Sequence, residues 1–136
     1  MPAQHTYDYA VVRVVPRVDR GEFVNAGIVL CCAPAGVLKA WIELDEARLL
    51  ALDPGADVAT IRASLATLPL ICAGGDAAGP VGRLPLRARF DWLVAPRSAS
   101  IQTSPVHTGR CADLDAAAER LLDRMVRRVP PAGDDA

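Results

Sequence analysis

Lysine is nearly missing from this 136-residue chain: Lys39 is the only one among fifteen basic residues, and the other fourteen are arginine. That excess fits a GC-rich coding sequence as well as it fits selection for forked contacts to anions. Aromatic residues make up only 4%, with two each of Phe, Trp and Tyr, so few side chains are available to stack nucleic-acid bases. The formal charge of -1 gives no electrostatic reason to expect binding to duplex nucleic acid or to an anionic membrane. No run approaches the roughly 18 apolar residues of a membrane span, and Met1-Pro2-Ala3-Gln4-His5 has neither a basic nor an apolar leader region. A cytoplasmic protein is the resulting expectation.

Catalytic and metal signatures are equally scarce. The four cysteines, Cys31, Cys32, Cys72 and Cys111, lack C-x-x-C spacing. Cys31 and Cys32 would point to opposite faces of a strand, and His5 and His107 are the only histidines, so no metal site and no cofactor are expected. The chain has no G-x-S-x-G and no phosphate-cradling G-x-x-x-x-G-K-[ST]. His5-Thr6 and His107-Thr108 lack the middle residue of a paired H-x-T phosphoesterase motif.

What is present is a chain with 51% hydrophobic and 23% charged residues, the balance of a globular protein rather than a disordered one. Its length suits one domain able to bury roughly two-thirds of its unfolded surface. That domain is expected over residues 1–129, followed by a disordered acidic tail over 130–136.

Residues 7–16 and 22–32 are rich in Val, Ile, Tyr and Phe and are separated by a short polar segment ending in Gly21, which predicts a β-hairpin. Ala33-Pro34-Ala35-Gly36 reads as a turn and residues 37–44 as a third strand of an antiparallel meander. Asp45 and Asp57 are placed to cap two helices, a short one ending at Leu52 and a longer one that Pro69 should end or kink. Residues 73–82 read as an exposed mobile loop, residues 84–94 and 99–106 as strands, and residues 113–129 as a helix capped by Asp113 or Asp115 and carrying Leu114, Ala118, Leu121, Leu122, Met125 and Val129 on one face. The predicted fold class is α+β: an antiparallel sheet from the N-terminal meander plus later strands, with the two main helices packed on one face.

Arg13 and Asn25 sit inside apolar strands, where polar groups need partners. A register centred on Asp19 sets Arg13 opposite Asn25 and Val11 opposite Gly27, which would leave an anion-sized recess. Arg13 could then fork onto a phosphate or carboxylate, or pair structurally with Glu22 while Asn25 closes a backbone bond. In residues 96–107, Ser98, Ser100, Gln102 and Ser104 alternate between Arg97 and His107. This is either a strand with one wet face or a set of phosphate ligands. Trp41 and Trp92 read as core or interface anchors.

The blocks Tyr7-x-Tyr9, Arg13-Val14-Val15-Pro16, Glu22-Phe23-Val24-Asn25-Ala26-Gly27, Phe90-x-Trp92-Leu93-x-Ala95-Pro96-Arg97-Ser98 and Ile101-Gln102-x-Ser104-Pro105 resemble the bacterial domain-of-unknown-function family numbered 3037, over roughly residues 6–128. The resemblance implies a small uncharacterised bacterial protein. It also implies frequent encoding beside a HipA-like kinase, and so an accessory or partner role. The polar positions it marks are Arg13, Glu22, Asn25, Arg97, Ser98, Gln102 and Ser104, which with His107 make up the candidate binding residues. The hairpin and the 96–107 segment should therefore meet around one recess. The leading expectation is a non-enzymatic accessory or binding module for a protein partner or a small anionic ligand. The alternative is a small enzyme acting on a phosphorylated or nucleotide substrate through Arg13, Arg97 and His107.

Overall fold

The computed structural model describes residues 4–132. Along the chain lie β1 (His5–Val14), β2 (Val24–Cys32), β3 (Val37–Ile42), α1 (Glu46–Leu52), α2 (Val58–Ala73), α3 (Leu86–Leu93), β4 (Ile101–Thr103), β5 (His107–Cys111) and α4 (Leu114–Met125). The five strands form one antiparallel sheet in the order β3-β2-β1-β4, with β5 also on β1. The fold is α+β, as the hydrophobic patterning predicts. The tail expected over 130–136 falls partly on residues 133–136, outside the described part.

The apolar character of β1 and β2 on both faces follows from what covers them. Ala10, Val12 and Val14 pack with Leu65 and Leu68 of α2 and Phe90 and Leu93 of α3. Tyr7 and Val11, of opposite parity, pack with Ala118, Leu121 and Leu122 of α4. The two main helices therefore lie on opposite faces, which corrects the expectation of one. The uninterrupted run Ile28-Val29-Leu30-Cys31-Cys32, fully buried, marks a strand covered on both sides.

Register confirms Arg13 opposite Asn25, but beyond it the pairing shifts: Gly27 faces Val12 and Val11 faces Ile28. Ala26 is the extra residue of a β-bulge. Before it Val24 and Ala26 feed the α2 layer; after it that role passes to Val29 and Cys31. Gly27 is obligatory at this kink, because a Cβ there would run into the Trp41 carbonyl.

Helix starts follow the sequence closely. Asp45, Asp57 and Asp113 accept from the backbone N–H of Arg48, Thr60 and Ala116, each at 3.1 Å, a cap interaction typically worth about 1 kcal/mol. Pro69 does not end α2, which runs four residues further to Ala73. A proline inside a helix costs about 3 kcal/mol. Burying Leu68 and Ile71 offsets it, at roughly 1.5–3 kcal/mol each.

Further expectations are corrected. α4 ends at Met125 and not at Val129, which is exposed. Where a strand was expected over 84–94, Leu86–Leu93 forms α3: Leu86, Phe90 and Leu93 share a helical face, and Arg87 pairs with Asp91 one turn on at 3.1 Å. Residues 73–82 are not a shapeless loop, since Asp76–Arg83 forms tight 3-10 turns in which Gly82 is buried and accepts from Gly75 N–H at 2.9 Å. The expected strand over 99–106 is reduced to the three residues of β4, and β5 begins where it was expected to have ended. Among the described residues no single helix is long and apolar enough to cross a membrane.

Candidate functional site

The hairpin and the 96–107 segment do meet. Arg13 is paired on one side with Asn25 of β2 and on the other with Gln102 of β4, so three polar residues stand side by side across the sheet. The half-buried Arg13 guanidinium lies 4.2 Å from the centre of the exposed Phe23 ring. Its Nε is buried without a hydrogen-bond partner, as is Asn25 Oδ1. Asn25 Nδ2 donates to the Met125 carbonyl at 2.8 Å. Arg48 Nη1 donates to the next carbonyl, Val126, at 3.0 Å, so Asn25 helps to close the C-terminal end of α4. Glu22 does not reach Arg13; it pairs with Arg20 at 2.5 Å on the surface.

Ser104 is structural. It is buried, accepts from Val11 N–H and donates to the Pro105 carbonyl, both at 2.9 Å. His107 is exposed on β5 opposite Tyr9, with ring centres 5.5 Å apart. Ser98 is exposed in the bend before β4.

Arg97 belongs to the other face. Its Nη2 donates to the Trp92 carbonyl and its Nε to that of Ala95 at 3.3 Å, and its guanidinium sits 4.7 Å from the Trp92 ring centre. Two carbonyls at the end of α3 and a cation–π contact thus fix its orientation. It borders a cleft of about 360 Å³ between α2, the end of α3 and β4. Leu68, Ile71, Leu93 and Ile101 supply apolar walls; Ser64, Thr67, Ser100 and Thr103 supply hydroxyls; Gln102 lies at the β4 edge. None of the described lining residues is acidic. A second recess beside it takes in Pro96, Arg97, Gln102 and Ser104.

One shared recess is therefore not what the sheet builds. Arg13, Asn25 and His107 face the α4 side, Arg97 faces the α2 and α3 side, and Gln102 stands at the edge between them. Sequence reasoning missed Ser64 and Thr67, whose only signal was small polar residues flanking the buried stripe of α2. Trp92, read as a core or interface anchor, is 40% exposed, and its ring supports Arg97.

The cysteine thiols stay out of this chemistry. All four are buried and free, and burial pushes the Cys72 thiol up to about 12 and those of Cys31 and Cys111 upward. Asp8 is held below the usual carboxylate range by the Thr108 hydroxyl at 2.7 Å and by Arg87 at 2.6 Å. Among the described residues no three His, Cys, Asp or Glu side chains gather as a metal would need.

The family model described as "Protein of unknown function (DUF3037)" matches residues 9–126. The chain belongs to that family. The match spans both the Arg13–Asn25 pair and the Arg97 cleft of this DUF3037 protein. No curated protein and no solved structure matches the chain.

Proposed function

We propose that this DUF3037 protein is a non-enzymatic binding module of the bacterial cytoplasm whose working site is the Arg97 cleft. The observation that carries the reading is the fixed guanidinium: Arg97 is already ordered by two backbone carbonyls and the Trp92 ring, beside walls that hold hydroxyls and apolar groups but no carboxylate among the described residues. An arginine ordered in advance loses little further freedom on binding, and the cleft volume lies in the range of small-ligand sites. The enzyme alternative asked Arg13, Arg97 and His107 to act together; with Arg97 on the α2 and α3 side and the other two on the α4 side, the binding reading is the one we favour. The accessory role, with a HipA-like kinase as partner, rests on the family resemblance alone.

Thr67 is exposed and its hydroxyl bonds only within its own helix, to the Ser64 carbonyl at 2.7 Å, so Thr67→Trp would block the cleft while sparing the core. Native mass spectrometry of the protein purified from its own host, alone and mixed with the neighbouring kinase, tests the reading. The wild type is expected to retain a bound species that Thr67→Trp loses. Identical spectra for the two proteins would overturn it.

A further inference from the structure

Resting on the reading of the cleft as a binding site, we infer its ligand class: a phosphomonoester carried on a flat apolar body, an aromatic or heterocyclic ring rather than a sugar or a free anion. Three features of the lining lead there. The first is charge. Arg97 is the one ionised lining residue among those described, so a ligand group that enters beside it meets a cation and no competing carboxylate.

The second is donor supply. The carbonyls of Trp92 and Ala95 engage Nη2 and Nε of Arg97, which leaves Nη1 for a ligand. Among the described residues the Ser64 and Ser100 side chains make no hydrogen bond. The Gln102 amide donates to the Ala99 carbonyl at 2.9 Å, which turns its remaining capacity at Oε1 toward accepting. One guanidinium nitrogen with two hydroxyls suits the three terminal oxygens of a phosphate better than the two of a carboxylate.

The third is the floor. Leu68, Ile71 and Leu93 are buried side chains that close the cleft with hydrocarbon. A hydroxylated sugar would leave its polar groups unpaired against that surface, whereas a ring would gain from the burial. The volume of about 360 Å³ accommodates one ring system with its anionic head.

The test is an amide-shift titration of the whole chain by NMR with four probes: phenyl phosphate, inorganic phosphate, benzoate and benzyl alcohol. Phenyl phosphate is expected to shift the amides of Thr67, Arg97 and Ser100 and to bind best of the four. Arg97→Gln should weaken it about tenfold or more, as the loss of a charged hydrogen bond does. Arg97→Lys, which keeps the charge but not the fork, should fall between, and supplies the reading if the glutamine variant fails to fold. Arg13→Gln, on the opposite face, should leave the affinity unchanged.

Equal binding of inorganic phosphate would overturn the apolar body, equal binding of benzyl alcohol the anion, and equal or tighter binding of benzoate the phosphate. If phenyl phosphate leaves the cleft unperturbed while Thr67→Trp still strips a native ligand, the ligand class falls and the binding module stands.

Discussion

Ser104 and Val11 are joined twice: the Ser104 hydroxyl accepts from Val11 N–H at 2.9 Å, and Ser104 N–H donates to the Val11 carbonyl at 2.8 Å. β5 occupies the edge of β1 from His5 to Tyr9, and β4 occupies it from Val12 to Val14. Ser104 fills the gap between them, serving both backbone groups of a residue that no strand reaches from this side. Replacing the hydroxyl in Ser104→Ala strands a buried N–H, and the expected loss is about 1–3 kcal/mol. Urea denaturation measures it. A loss under about 0.5 kcal/mol, the scale of ordinary surface changes, would mean that the bond is dispensable.

Two glycines make opposite predictions about rescue. A Cβ at Gly109 would stand 2.5 Å from the Tyr7 hydroxyl and 2.6 Å from its Cζ, since the ring lies across the gap in β5. Gly109→Ala is therefore expected to destabilise, and Tyr7→Ala with Gly109→Ala to cost less than the sum of the two by about 0.5–3 kcal/mol in a double-mutant cycle. At Gly27 the obstacle is the Trp41 carbonyl, which is backbone. Gly27→Ala should give little folded protein by circular dichroism, and truncating a neighbouring side chain should not restore it.

Asn25→Asp exchanges a donor for a charged acceptor facing the Met125 carbonyl. The loss of that 2.8 Å bond and the electrostatic repulsion that replaces it should cost about 1–3 kcal/mol. Amide exchange should quicken first at the C-terminal end of α4. Uniform quickening across the sheet would contradict the capping role.

Acid should weaken the fold through Asp45. The Arg128 guanidinium, then the Arg48 N–H, hold its carboxyl at about 2 instead of the usual 3.8. Folding therefore favours the ionised form, and the contribution is complete above about pH 4 and lost as pH falls toward about 2. Glu43, lowered by Arg127, and Asp8, lowered by Thr108 and Arg87, act in the same direction. Asp45→Asn keeps a competent cap and removes the charge. Its urea midpoint should lie below that of the wild type at about pH 6 and converge with it near about pH 2. A gap that persists in acid would assign the effect to the cap instead.

Ellman's reagent at mildly alkaline pH should find no reactive thiol in the native protein and all four after denaturation. The cysteines are buried, and Cys72 ionises only near about 12. Rapid reaction of even one in the native state would show that a strand or α2 opens readily.

Legibility in the sequence followed the range of the interactions involved. The three acidic caps and the N-terminal meander were readable because they are local, set by a side chain three residues from its partner or by alternation within one strand. α3 was misread although Leu86, Phe90 and Leu93 carry its period: eight residues with a tryptophan and a phenylalanine resemble a short strand equally well. The pairing of Arg13 with Asn25 was legible from the hairpin. The side of the sheet that Arg97 faces was not, since it depends on where α3 ends and on which carbonyls are free there. Ser64 and Thr67 became lining residues only through packing across more than thirty positions of chain.

The bulge at Ala26 takes up the one residue by which β2 outnumbers β1 between Asn25 and Gly27. Past it no slack remains: remove one residue such as Ile28 and every side chain downstream trades sides, so that Leu30 would confront α2 while Val29 and Cys31 would confront α4, neither surface shaped to receive them. Indels in this family should accordingly avoid residues 28–32 and gather in the exposed stretch from Arg17 to Glu22, where the spacing between strands can vary without altering which layer any residue serves.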